Sequence, residues 1–155
     1  MTNSKAETLQ QPSAAVVEWF NLMNETMGEL ELDLPMLTML VVTSNRLDVL
    51  DYFLKLRADA GFDDRDICLW QATVAGNVET MEWLIDHGAN VNTIHDDSTP
   101  MYCAIAADNI KAIELLQKRG VDVNTPDACG RTLISIAAMG GRIESMKCLE
   151  RLGAR

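Results

Sequence analysis

The chain is poor in the residues that most chemistry needs. It has two histidines in 155 residues, four cysteines and eight aromatics. None of the cysteines (Cys68, Cys103, Cys129, Cys148) forms a C-x-x-C pair, so neither a zinc site nor a disulfide framework is expected. Three are expected as buried free thiols, and Cys129, in a predicted loop, as an exposed one. There is no G-x-G-x-x-G, no phosphate loop and no H-E-x-x-H, and no cofactor is expected. His87 reads as a solvated residue at a helix end. His95 stands beside Asp96 and Asp97, but adjacent loop residues rarely complete a coordination sphere or an acid–base pair. No run approaches the roughly 20 apolar residues of a membrane span, and the polar N-terminus lacks a signal-peptide core. These absences point to a non-enzymatic cytoplasmic protein, with export by another route left open.

Positive charge is also scarce. Thirteen Lys/Arg face twenty-three Asp/Glu, a net charge of −10. The imbalance is uneven: residues 127–155 hold Arg131, Arg142, Lys147, Arg151 and Arg155 against Asp127, Glu144 and Glu150, which is +2 and leaves −12 for the rest. Such a chain repels nucleic-acid phosphates and anionic lipid, so neither is expected as a partner.

What the chain has is repetition. Gly76 to Asn92, Asp108 to Asn124 and Gly141 to Ala154 are variants of one segment, and the glycines that end them, Gly88, Gly120 and Gly153, lie 32 and 33 residues apart. A period of that length marks a solenoid, whose units bury their apolar faces against neighbours. Each unit reads as two short helices and a loop. In the second helix the aligned columns are Leu47, Val78, Ile110, Ile143; then Leu50, Met81, Ile113, Met146; then Phe53, Leu84, Leu116, Leu149. They recur at i, i+3 and i+6, one apolar helix face, widened by Tyr52, Trp83, Leu115 and Cys148. The first helices carry small residues for close approach: Ala72, Ala104, Ala137 and Ala138. Thr99-Pro100 and Thr132 read as their N-caps, with Asp66 the nearest cap before Ile67. Between helices, Asn45, Gly76, Asp108 and Gly141 occupy one position, and all four suit a left-handed turn. Gly88, Gly120 and Gly153 fit C′ positions. Upstream, Ser13 can cap a helix over residues 14–27, with Val16, Phe20, Met23 and Met27 on one face.

Thr99-Pro-Met-Tyr-Cys-Ala104, Ala137-Ala-Met-Gly-Gly141, Gly88-Ala-Asn-Val-Asn92 and Gly120-Val-Asp-Val-Asn124 resemble the ankyrin repeat pattern. The resemblance covers about residues 34–155. It implies an all-α solenoid of helix-turn-helix units joined by β-hairpin-like loops. The organisation would be a flexible N-terminus (1–12), a capping helix (13–28), an acidic link over residues 28–33, and a repeat domain (34–155) with repeats at 34–62, 63–93, 94–126 and 127–155. The first repeat is degenerate, with Arg57-Ala58-Asp59 where Gly-Ala-Asp is expected. The family's histidine is replaced by Trp70, Tyr102 and Ser135, so its loop-to-loop hydrogen bonds are not expected unchanged.

In that family the hairpin tips and adjoining first-helix ends form the concave partner surface. Here the tips would be Asp63, Asp64, Arg65 and Asp66; then His95, Asp96, Asp97 and Ser98; then Ala128, Cys129 and Arg131. The floor would be Val74, Ala75, Ala106, Ala107, Met139 and Gly140. Trp70 and Tyr102 read either as anchors for a partner or as packing residues, with packing favoured. Loop aspartates can simply terminate turns. The functional reading is an acidic groove that attracts a protein with a basic surface. The expectation is a protein-interaction module, monomeric when free, that inhibits or sequesters its partner in the manner of an immunity protein. An adaptor with several partners is the alternative, and a metal-dependent enzyme is the rival of a different class.

Overall fold

A computed structural model of the chain describes residues 13–18, 21, 22, 25, 34–127 and 129–155. Its named elements are helices α1 (Leu34–Thr43), α2 (Leu47–Asp59), α3 (Arg65–Val74), α4 (Val78–Asp86), α5 (Pro100–Ala106), α6 (Ile110–Lys118), α7 (Leu133–Met139) and α8 (Ile143–Arg151). They form four helix pairs. The chain separates into two compact units, one ending at Phe62 and one running from Asp63 to Arg155.

In the second unit, α3, α5 and α7 pack side by side as one layer, and α4, α6 and α8 as a second. Each first helix also packs on its own second helix. Period-3.6 apolar faces force this arrangement, because one pair alone cannot cover its leucines. Leu84, Leu116 and Leu149 are fully buried, as are Met81 and Ile113. Each such side chain contributes about 1.5–3 kcal/mol by leaving water. Ala72, Ala104 and Ala137 are fully buried between helices. The column of Val78, Ile110 and Ile143 is not core: the first two are half-buried and Ile143 is 61% exposed. It lies at the first helical residue of each second helix, where the apolar stripe has only begun to turn inward.

Both kinds of turn are built alike. After α3 the chain passes through Ala75 into left-handed Gly76 (φ 73°), where Gly76 N–H donates to Thr73 O and Asn77 N–H to Ala72 O. Asp108 (φ 52°) and Gly141 (φ 65°) repeat this geometry after α5 and α7. Gly88, Gly120 and Gly153 do the same after the second helices, with Ala89, Val121 and Ala154 donating back to Leu84, Leu116 and Leu149. These paired bonds satisfy the carbonyls that a helix end leaves open. Thr99 caps α5 by accepting from Tyr102 N–H, with Pro100 at the first helical position, and Thr132 caps α7 by accepting from Ser135 N–H. Asn77 and Asn109, which the sequence reading did not single out, cap α4 and α6 by accepting from Thr80 and Ala112.

Two boundaries depart from expectation. Helix α3 begins at Arg65, with Asp64 and not Asp66 at the N-cap position. Helix α2 runs four residues past its apolar columns' equivalent in later repeats, so Arg57-Ala58-Asp59 is helical. Its closing glycine is Gly61 (φ 87°), with Phe62 N–H donating to Arg57 O and the Arg57 guanidinium 4.1 Å over the Phe62 ring.

In the first unit, α1 packs on α2, and Val41, Val42, Val49, Leu50 and Phe53 are buried. Residues 14–18 are helical and Val16 is buried. Residues 21, 22 and 25 of the expected capping helix are also helical, whereas its Phe20, Met23 and Met27, the N-terminus over residues 1–12 and the acidic link over 28–33 lie outside the described residues.

Candidate protein-binding face

The second unit contains every residue expected to contact a partner. The floor positions are equivalent residues on neighbouring helices. Val74, Ala106 and Met139 end the first helices, and Ala75, Ala107 and Gly140 follow them. All six are exposed, Val74 at 43% and Met139 at 71%. Tyr102, one turn earlier on α5, is 39% exposed. The repeat therefore sets a row of exposed small and apolar side chains at equivalent positions of the three first helices.

The three loops are not equivalent. Among the described residues, the second alone carries a β-bridge. His95 and Ser98 form an antiparallel bridge, with His95 N–H donating to Ser98 O at 2.9 Å and Ser98 N–H to His95 O at 3.0 Å. Asp96 (φ 48°) and Asp97 (φ 57°) are both left-handed, the pattern of a type I′ turn. Both are exposed, the Asp96 side chain at 78%.

The first expected tip is a helix start instead. Asp63 is engaged by Arg65, whose Nε donates to Asp63 Oδ1 at 2.8 Å while Nη2 pairs with Oδ2. That guanidinium holds the Asp63 carboxyl below its usual range. Asp64 is buried at 9% exposure. Asp66 Oδ1 accepts from Asn90 N–H at 2.7 Å, tying the start of α3 to the loop after α4. Of the expected carboxylate row, Asp63 is exposed but paired with Arg65, Asp64 is buried and Asp66 is bonded to Asn90, while Asp96 and Asp97 are exposed on the turn.

The third loop is closed by Asp127. It accepts from the N–H groups of Arg131 and Cys129 and pairs with Arg131 Nε at 2.7 Å. Those bonds, the Arg131 amide first, lower its pKa below the usual carboxylate range. Arg131 is raised in turn, mainly by Asp127 and also by the nearby Tyr102. Cys129 is exposed and free; Ala128 lies outside the described residues. Cys68 and Cys148 are buried and Cys103 is half-buried, and burial with the nearby Asp64 charge pushes the Cys68 thiol up to about 12.

Trp70 is half-buried. Its Nε1–H donates to Ser98 Oγ at 2.9 Å in the following loop, and its ring meets His95 edge-on at 4.8 Å. An indole at the position of the family's histidine thus supplies a helix-to-loop bond between neighbouring repeats. Ser135 bonds within its own turn, to Thr132 O. His87 is exposed at the end of α4, stacked on Trp83 at 3.7 Å, with its carbonyl accepting from Arg65 Nη1. His95 Nε2 lies 3.9 Å from Asp96 Oδ2. Among the described residues no group of three or more His, Cys, Asp or Glu could hold a metal ion, and no helix is long and apolar enough to cross a membrane.

Sequence reasoning missed the neutralisation of Asp63 by Arg65 and of Arg131 by Asp127. The spacings, two and four residues, were the available signal. It also missed Ile94, an exposed apolar side chain beside the acidic tip.

The family model for ankyrin repeats in three copies matches residues 38–127, and one for many copies matches residues 114–150. The chain is 35% identical over 95 residues to the mouse (Mus musculus) ARF GTPase-activating protein GIT2, covering 59% of this chain and 13% of that protein. It is 35% identical over 95 residues to human (Homo sapiens) ARF GTPase-activating protein GIT1, covering 59% and 12%. It is 32% identical over 83 residues to human BCL-6 corepressor-like protein 1, covering 53% and 4%. The chain thus spans a small part of the length of each.

Proposed function

The chain belongs to the ankyrin repeat family, a family of protein–protein interaction modules, and on that premise we propose that it binds a protein with a basic surface patch through the strip of Val74, Tyr102, Ala106 and Met139 and the adjoining Asp96–Asp97 tip. The observation that carries this reading is that one compact unit exposes both a row of apolar side chains at its first-helix ends and two aspartates on a hairpin tip. Apolar contact supplies affinity, and the carboxylates supply orientation and encounter rate. Bound there, the chain covers part of its partner, which suits an inhibitor or sequestering role better than catalysis. The chain acts as no enzyme in this reading, works as a monomer in the cytoplasm, and needs neither nucleic acid nor membrane.

Immobilised protein and its variants test the reading by quantitative capture. Tyr102→Ala with Met139→Ala should abolish capture of the proteins retained by the unaltered chain, at unchanged helicity. Asp96→Asn with Asp97→Asn should weaken capture and flatten its salt dependence. Equal retention by all variants sinks the proposal. Loss of some captured proteins and not others would favour the several-partner adaptor.

A further inference from the structure

We infer that Trp70 is a positioning residue: from one repeat it holds the acidic tip of the next in its binding conformation. The inference rests on the binding reading above. Asp96 and Asp97 both sit at positive φ, which aspartate tolerates less readily than glycine, so contacts from neighbours help to hold the turn. The described neighbours form a relay. Trp70 Nε1–H donates to Ser98 Oγ at 2.9 Å, and Ser98 Oγ–H donates to His95 O at 2.9 Å. The indole edge also packs on the His95 ring. One side chain of α3 therefore grips both residues that bracket the aspartates. The direction of the relay is fixed, since the indole N–H can only donate, the carbonyl can only accept, and the hydroxyl between them does both. The tip's shape is thus set 28 residues upstream, and Trp70 acts on a partner without touching it.

Trp70→Phe separates this from simple packing, because it keeps a ring against His95 and removes the donor. Amide exchange of His95 and Ser98 in the full chain should rise about tenfold, the factor expected for one ordinary hydrogen bond, while exchange in α6 and α8 stays as it was. Ser98→Ala should give the same rise, and the double variant no more than either alone. A lysine-rich peptide titrated at low salt should perturb the amides of residues 95–98 in the unaltered chain and do so at least several-fold more weakly in Trp70→Phe. Unchanged exchange at His95 and Ser98 overturns the positioning role. Raised exchange with undiminished peptide response overturns its link to binding. If instead Asp96→Asn with Asp97→Asn leaves the peptide response of the unaltered chain intact, the binding reading itself has failed.

Discussion

At the scale of single residues, the most consequential side chain outside the candidate face is Asp108. It occupies the left-handed turn after α5, and its Oδ1 accepts from both Ser145 N–H at 2.9 Å and Ser145 Oγ at 2.6 Å, one repeat away. Ser145 is fully buried. The two bonds, the hydroxyl's first, lower the Asp108 pKa below its ordinary 3.8. A carboxyl with a depressed folded value stabilises the fold above the unfolded value, and the contribution is lost as pH falls through the folded one. Asp108→Asn keeps the turn geometry and an acceptor oxygen but removes the charge. It should therefore lower the urea midpoint at pH 7, with the difference from the unaltered chain shrinking below about pH 4. A difference independent of pH would mean that charge plays no part. Neither this bond nor that of Trp70 was legible in the sequence. They join residues 37 and 28 apart, and a local pattern carries no record of which side chain a later repeat will meet.

At the scale of elements, glycine turns and apolar columns were legible because each is a short-range constraint. The backbone demands positive φ where a helix must reverse, and the stripe demands spacing near 3.6. Gly88 and Gly120 share that constraint but not their surroundings. A Cβ at Gly120 meets nothing within 4 Å, whereas one at Gly88 lies 3.1 Å from Arg65 Nη1. Gly120→Ala should cost about 1–2 kcal/mol by conformation alone. Gly88→Ala should cost more, because it also displaces the Arg65 bond to His87 O, and chemical denaturation of the two variants reads the gap. What was illegible was where α2 stops and α3 starts. Asp63-Asp64-Arg65-Asp66 has turn composition and equally good helix N-terminal composition, and Arg65 resolves it by pairing with Asp63 from inside the helix.

At the scale of the whole molecule, the second unit is a one-dimensional stack, and its stability sums over repeats and the interfaces between them. Leu84→Ala or Leu116→Ala opens a cavity at a fully buried position and should cost about 2–5 kcal/mol by urea unfolding. Ion pairs cross the same interfaces: Arg119 reaches Glu82 and Asp86, and Arg151 reaches Glu114. Raising salt should move the midpoint little, because exposed pairs are worth roughly 0–1 kcal/mol. The loop composition announced an acidic groove with Arg131 at its basic end. The folded chain keeps a narrower one, because Arg65 and Arg131 already answer Asp63 and Asp127.

The missing cap of α8 carries a further consequence. Helices α4 and α6 cap themselves with Asn77 and Asn109, but Arg142 gives α8 no side-chain cap, and the third-residue amide is instead received by Asp108 of the preceding repeat. Gly76, in the corresponding place one repeat earlier, has no side chain to offer. The repeats look interchangeable in outline, yet their sequence along the chain is fixed by this dependency. A chain with its second and third repeats exchanged would present Gly76 to α8 and leave its opening turn unmet.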